Sequence, residues 1–402
     1  MSAPPKMVEP TMLRFCRNWL IGLLVLIPLM AAFNFAIDPF MVFGSPRFVG
    51  INDVKPSTLE RAELVKHHLL QRVEPQTLML GTSKVQLGIN PRSPLWPADS
   101  GLVFNGGVPG QSLPKTIDEF RDVVARAPLR RVMLLVEITD FMWPGSGATP
   151  VGHFLPSARD DLYDRFMASL SLDAFRASIS TLTQQGSPYA ISMDDDGMMR
   201  DGLFRGASDR EGASALFEQK FPTVFGLLKG IQSQTSAHPD APIAMIDGLK
   251  DMIQLAREKH IALDIGIAPV HGDFLQILDA VGLWPRYLAA KAAITHAVAE
   301  AGGNEVPLWD FIGFDRFSTE PIPAHGDMAH KTQWFWEPNH FKVAIGEKML
   351  ETMYHGGTEY GVRLTPQSLD ARLLADTAAR DRFYAAAPQE HARIIAILSN
   401  TR

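Results

Sequence analysis

Thr77-Leu78-Met79-Leu80-Gly81-Thr82-Ser83-Lys84-Val85-Gln86-Leu87-Gly88-Ile89-Asn90-Pro91 is the stretch from which the fold is read. Its first four residues are apolar or β-branched and fit a short buried strand, which Gly81-Thr82-Ser83 closes at its carboxyl end. In open parallel α/β sheets that edge is where ligands bind. A serine there lies at a sharp turn, its hydroxyl outward and its amide able to donate to a developing oxyanion. By itself a Gly-Thr-Ser run is a turn or a helix N-cap, so the weight falls on what the rest of the chain brings to the same edge.

Working outward, residues 102–104 form a second apolar run, closed by a tight loop, Asn105-Gly106-Gly107-Val108-Pro109-Gly110. Residues 132–136 are continuously apolar, as in a strand buried on both faces, and run into Glu137-Ile138-Thr139-Asp140. Residues 261–268 read as a fourth strand, ending at His271, and residues 306–311 as the last. Helical periodicity fills 59–73, 114–126, 241–258, 273–283 and 286–301. Trp336-Glu337-Pro338-Asn339-His340 is expected to open a helix running to about residue 354. This alternation predicts an α/β fold with a parallel sheet whose strand ends gather at one edge. There Ser83 needs a base, for which His340 is suited, and the imidazole needs a carboxylate, for which Glu337 stands three residues earlier. The Ser83 and Gly110 amides are suitable oxyanion donors.

These blocks resemble the SGNH (GDSL-like) hydrolase superfamily, in particular its membrane-anchored bacterial branch linked to envelope polysaccharides. Gly81-Thr82-Ser83 is similar to its Gly-Asp-Ser block, residues 105–110 to its Asn-x-x-x-x-Gly block, and residues 337–340 to its Asp-x-x-His block with Glu for Asp. The resemblance covers about residues 74–355. It implies a three-layer α/β/α, flavodoxin-like SGNH fold and a serine esterase or O-acyltransferase acting on ester groups, acetyl foremost, of a cell-envelope polysaccharide. Ser83, His340 and Glu337 would be catalytic, and Ser83 and Gly110 would line the oxyanion hole. The family's third block, Gly-x-Asn-Asp, is here Glu137-Ile138-Thr139-Asp140, so its asparagine donor is missing and Thr139 is the substitute at hand. That loss favours the alternative, a catalytically weak or inactive scaffold that binds polysaccharide or partner subunits of an exopolysaccharide assembly. Asn105, Asp140, His271 and Trp336 are the candidate substrate contacts, with His271 also the alternative base.

The chain is 402 residues long, 46% hydrophobic and 20% charged, with a net charge of -6. It can bury a large core, and nucleic acid is not expected as a partner. Cys16 is its only cysteine, which excludes an intrachain disulfide and a cysteine metal cluster. No cofactor or metal is expected. The histidines of Lys66-His67-His68 are read as a solvated helix face, Asp194-Asp195-Asp196 as a surface turn, and His325 and His330 as polar surface.

Residues 19–37 are apolar over one bilayer thickness, preceded by Lys6, Arg14 and Arg17 and followed by Asp38-Pro39. A cleaved signal peptide competes, with small residues near the end of the run, but the run exceeds the roughly 7–15 residues of a signal h-region. The charge asymmetry leaves residues 1–18 as a cytoplasmic arm and residues 38–402 outside, in the periplasm of a bacterial cell, with a single pass through the inner membrane. The domain reading is then a 19–37 signal anchor, a 38–73 connector and first helix, a 74–355 α/β domain carrying a 145–240 helical insertion, and a 356–402 C-terminal helical extension.

Overall fold

The computed structural model describes residues 10–145 and 161–400. Parts of the expected arm and insertion, residues 1–9 and 146–160, lie outside the described residues, as do the last two residues. The strands are β1 (Thr77–Leu80), β2 (Val103–Asn105), β3 (Arg131–Val136), β4 (Ala262–Ile267), β5 (Leu308–Asp310) and β6 (Val362–Leu364). The helices are α1 (Pro10–Ile37), α2 (Ala62–Arg72), α3 (Ser83–Gly88), α4 (Leu113–Val124), α5 (Asp161–Leu170), α6 (Leu172–Thr183) and α7 (Gly202–Glu211). Then follow α8 (Ala213–Ala237), α9 (Ile246–Glu258), α10 (Gly272–Ala280), α11 (Trp284–Gly302), α12 (Val343–His355), α13 (Pro366–Ala386) and α14 (Pro388–Asn400). Chain contacts define two units, residues 10–69 with 161–192 and residues 70–145 with 193–400.

The larger unit is built on one six-stranded, mostly parallel sheet of order β2-β1-β3-β4-β5-β6. β1 lies between β2 and β3, with Leu78 opposite Phe104 and Val132. Every residue of β1 and β2 is buried, and so are residues 132–136 of β3. Side chains on both faces of these strands are therefore covered, which is why they read as unbroken apolar runs instead of an alternation. β6 is the exception in direction, pairing antiparallel with β5. It belongs to the stretch expected to be purely helical, and with it the C-terminal segment becomes part of the sheet.

α13 is tied to the same region by charge. Fully buried Lys291 on α11 donates to Asp310 (2.9 Å) and to Asp376, and the Arg372 Nε donates to Asp310 (2.7 Å). Burial alone would raise the Asp310 pKa, but the two cations outweigh it and hold that carboxyl below its ordinary range.

The smaller unit joins α1 to the first half of the expected insertion. Phe40, Val42, Ala168, Ala174 and Ala177 form its core, with Phe43 and Leu64 against them. The Asn34 side chain reaches the Ser169 carbonyl and the Ser178 hydroxyl. Lys55, buried, donates to the Ile37 and Asp38 carbonyls at 2.7 and 2.8 Å, satisfying acceptors that a helix C-terminus leaves open. The Asp38 carboxylate accepts from the amides of Val42, Phe43, Gly44 and Ser45. Residues 11–37 are long and apolar enough to cross a membrane, with a mean hydropathy of 2.5 in the most apolar window. The helix thus extends well ahead of the apolar run at 19–37. The second half of the insertion, α7 and α8, belongs to the sheet unit.

Replacing Lys291 with Met should leave Asp310 and Asp376 facing each other with only Arg372 between them. The expected loss is about 3–5 kcal/mol of unfolding free energy in urea, the usual cost of removing one partner of a buried charge set. A loss below about 1 kcal/mol would show that this cluster does not hold α11, α13 and β5 together.

Candidate active site

The site is assembled at the carboxyl edge of the sheet. Gly81 takes φ +147° as β1 ends, and a Cβ there would lie 2.8 Å from the Leu135 carbonyl oxygen and 2.7 Å from a Val85 methyl. Only glycine allows the chain to turn this close to β3. Thr82 caps α3, its hydroxyl oxygen accepting from the Lys84 amide at 3.3 Å. Ser83 begins the helix, so its N–H is among the first amides, which have no acceptor inside the helix. Ser83 is partly exposed, and its hydroxyl lies 2.7 Å from His340 Nε2, although the two residues are 257 positions apart.

His340 and Glu337 lie on a hairpin that precedes α12, not within the first turn of that helix as the sequence suggested. Phe335 and Phe341 bridge antiparallel, the Trp336 amide donates to the His340 carbonyl (2.9 Å), and the Lys342 amide to the Trp334 carbonyl (2.8 Å). Pro338 at the tip has no N–H to give a helix, and the Asn339 N–H is engaged by Glu337 Oε2 at 3.1 Å. Glu337 Oε1 accepts from His340 Nδ1. This assigns the proton to Nδ1 and leaves Nε2 to accept from Ser83. Burial pushes the Glu337 pKa up, yet His340, with help from Lys220, outweighs it and keeps the carboxyl below its ordinary range. The carboxylate is therefore charged where it meets the imidazole.

The other expected contributors divide. Gly110 lies exposed at φ +66° with open space on the side where a Cβ would stand. Its loop is stapled to the Ser83 turn by the bonds from the Val108 amide to the Gly81 carbonyl (3.0 Å) and the Gly106 amide to the Met79 carbonyl (2.8 Å). Thr139 and Asp140 are half-buried in a short turn after β3. Asn105 was expected to contact substrate, but it is fully buried. Its amide nitrogen donates to the Val85 and Ile89 carbonyls and its oxygen accepts from the Gly107 N–H, so it shapes the loop from behind. His271 was also expected to face a ligand or replace His340. Instead it is buried and caps α10, with Nδ1 accepting from the Asp273 amide and Nε2 donating to the Glu320 carbonyl, each at 3.1 Å. Both ring nitrogens are occupied. Its own amide donates to the Pro338 carbonyl (3.0 Å), which supports the hairpin. Trp336 is partly exposed and stacks on Phe204 at 5.7 Å, with the Lys342 ammonium 4.2 Å from its ring centroid.

Three features escaped the sequence reading. Glu137 accepts from the Thr82 hydroxyl (2.7 Å) and from buried Lys84 (2.6 Å), locking the third strand end to the residues flanking Ser83. Lys84 follows Ser83 directly and gave no signal beyond a helix position. Phe204 on α7, in the segment read only as a helical insertion, lies 5.4 Å from the His340 ring. His68 is not on a solvated face: it is fully buried and pairs with Asp164 (3.1 Å), while His67 pairs with Asp161 (3.0 Å). His68, Asp161 and Asp164 offer ligand atoms within 4.8 Å of one another, and burial lowers the His68 pKa. The aspartate turn at 194–196 instead pairs with Arg92 and accepts from the Asn105 amide through the Asp196 carbonyl.

Asp140 supplies a test. Burial first, then the neighbouring Glu137, raise its pKa to about 7, with Lys84 opposing. The folded chain keeps this proton where the unfolded chain has released it, so this group's contribution to stability falls as pH rises from about 4 to about 7. Asp140→Asn should remove that slope: the stability of the native chain relative to the variant, from urea midpoints between pH 4.5 and 8, should decline with pH and then level. A difference independent of pH would show that Asp140 is ionised throughout. Comparison with protein-family models, curated proteins and solved structures gives no match, so the reading of this site rests on its geometry and chemistry.

Proposed function

We propose that the chain is a membrane-anchored SGNH-type serine esterase or O-acyltransferase, acting through an acyl-enzyme on ester groups, acetyl foremost, of a cell-envelope polysaccharide. The observation that carries this is the hydrogen-bonded series from the Ser83 hydroxyl to His340 and on to Glu337 at a strand-end turn. The strand order β2-β1-β3-β4-β5, the flavodoxin-like doubly wound order, supports the three-layer SGNH reading. The asymmetry of charge about α1 supports a periplasmic position for the domain.

In this mechanism Ser83 Oγ attacks the ester carbonyl while its proton passes to His340 Nε2. Glu337, already charged, stabilises the imidazolium and fixes its orientation. The Ser83 and Gly110 amides hold the oxyanion. Collapse of the tetrahedral intermediate breaks the bond between the acyl carbon and the sugar oxygen, and that oxygen takes the proton from His340, leaving a free sugar hydroxyl, a neutral imidazole and acylated Ser83. Water or a second sugar hydroxyl then attacks by the same route, giving hydrolysis or transfer.

The missing third-block asparagine favours a second reading, a scaffold that binds polysaccharide or assembly partners with little turnover. Losing one such donor costs about 100–1000-fold. Glu137, in the same segment, is tied to Lys84 and cannot replace it as a donor.

The full chain in detergent should release p-nitrophenol from p-nitrophenyl acetate and be labelled by a fluorophosphonate. Ser83→Ala and His340→Ala should each abolish labelling and lower turnover by at least about 1000-fold, with the double variant no worse than either single one, because the pair acts as a unit. Glu337→Gln should lower turnover by about 100–10,000-fold with KM little changed. Absence of Ser83-dependent labelling would favour the scaffold.

A further inference from the structure

We infer that α5 and α6 form a monotopic membrane-contact surface that lies in the headgroup region of the same bilayer that α1 crosses. The inference rests on α1 being a spanning helix.

The two helices are amphipathic, but turned inside out for a water-exposed protein. On α5 the side directed inward carries Asp161 and Asp164, paired with His67 and His68, and buried Ala168. The outward side carries Phe166 and Met167, 56% and 39% exposed. On α6 the inner side holds Ala174, Ala177 and Ser178, while Leu172 (68%), Phe175 (37%), Ile179 (43%) and Leu182 (37%) face outward. Six large apolar side chains of these two consecutive helices are thus left exposed, Phe175 beside Phe33 of α1, which is uncommon on a soluble surface. Val49, in the loop after α1, is 91% exposed in the same unit. Arg165 and Arg176 are also exposed among them, where a guanidinium can reach lipid phosphate while its stem lies along the apolar surface.

What should cover this face follows from α1. A hydrocarbon core of about 30 Å takes about 20 residues at 1.5 Å each, so a span beginning near Trp19 reaches the far boundary at about Ile37. The last turn of α1 holds α5 and α6. The Phe33 ring lies 5.6 Å from Phe175, and Asn34 is bonded to Ser169 and Ser178. Lys55 and Asp38 fix the chain as it leaves that turn. The outward faces of α5 and α6 are therefore held at the level where the spanning helix emerges, and lipid headgroups with the first acyl carbons are the medium that matches them.

Spin labelling tests this in the full chain. In a Cys16→Ser background, which removes the native thiol, nitroxides are placed by Phe166→Cys, Phe175→Cys and Leu182→Cys, with Leu24→Cys marking the bilayer interior. The protein is reconstituted into phosphatidylethanolamine–phosphatidylglycerol vesicles. Collision with oxygen should exceed collision with a nickel chelate several-fold at all three test sites, to a lesser degree than at Leu24→Cys. The reverse ratio at the test sites, with Leu24→Cys behaving as bilayer interior, overturns the inference and leaves the spanning helix intact. Labels immobilised and shielded from both reagents overturn it in favour of a second copy or a partner protein on this face. An aqueous ratio at Leu24→Cys removes the spanning helix and the inference with it.

Discussion

The close approach of the β1–α3 turn to β3 is the constraint on which the rest of the site depends. Gly81 lies so near the Leu135 carbonyl that no side chain fits, and this passage delivers Ser83 to the edge of the sheet as the first residue of a short helix. The neighbouring strand ends are then fastened to that turn by hydrogen bonds: Val108 to Gly81 from one side, Glu137 to Thr82 and Lys84 from the other. The β1–α3 turn has little freedom to relax, and the geometry around Ser83 is fixed by the fold. For the proposed esterase, preorganisation of this kind is what electrostatic stabilisation of a transition state would require.

The His340 imidazole is held by different means. Its hairpin is short, closed by a Phe335–Phe341 bridge, and supported from beneath by His271. The Glu337 pKa stays below its ordinary range at a position where burial by itself raises it, because the imidazole partner outweighs the lost solvation. The Phe204 ring packs beside the imidazole and limits the orientations open to it. Ser83 and His340 thus meet through two independently stabilised supports, each with its own buried polar network.

Buried charge recurs away from the site. Lys55, Lys84 and Lys291 are each almost inaccessible to water and each meets oxygen acceptors directly, carbonyls at the end of α1 in one case and carboxylates in the other two. An unpaired ammonium in such places would be costly. These contacts specify where α1 ends, how β3 meets α3, and how α13 joins the sheet.

Much of the fold was legible in local sequence. The largely apolar runs read as strands at 77–80, 132–136 and 261–268, the glycines and caps that follow them, and the long apolar N-terminal helix are set by short-range pattern, because burial on both faces of a parallel strand favours a nearly continuous apolar run. Strand-end position singles out Ser83, which follows β1, whereas Glu337 and His340, expected to open α12, lie instead on the hairpin before it. Tertiary packing decided the remainder. Asn105 and His271 have the residue types of ligand contacts, yet the groups that engage them, such as Val85, Ile89 and Glu320, are up to 49 positions away, and no local pattern announces those bonds. Lys84, Phe204 and β6 became meaningful only once distant segments were brought against them. Periodicity reports which side of an element is apolar, whereas hydrogen-bond partners and side-chain orientation depend on contacts between residues that the linear chain keeps far apart.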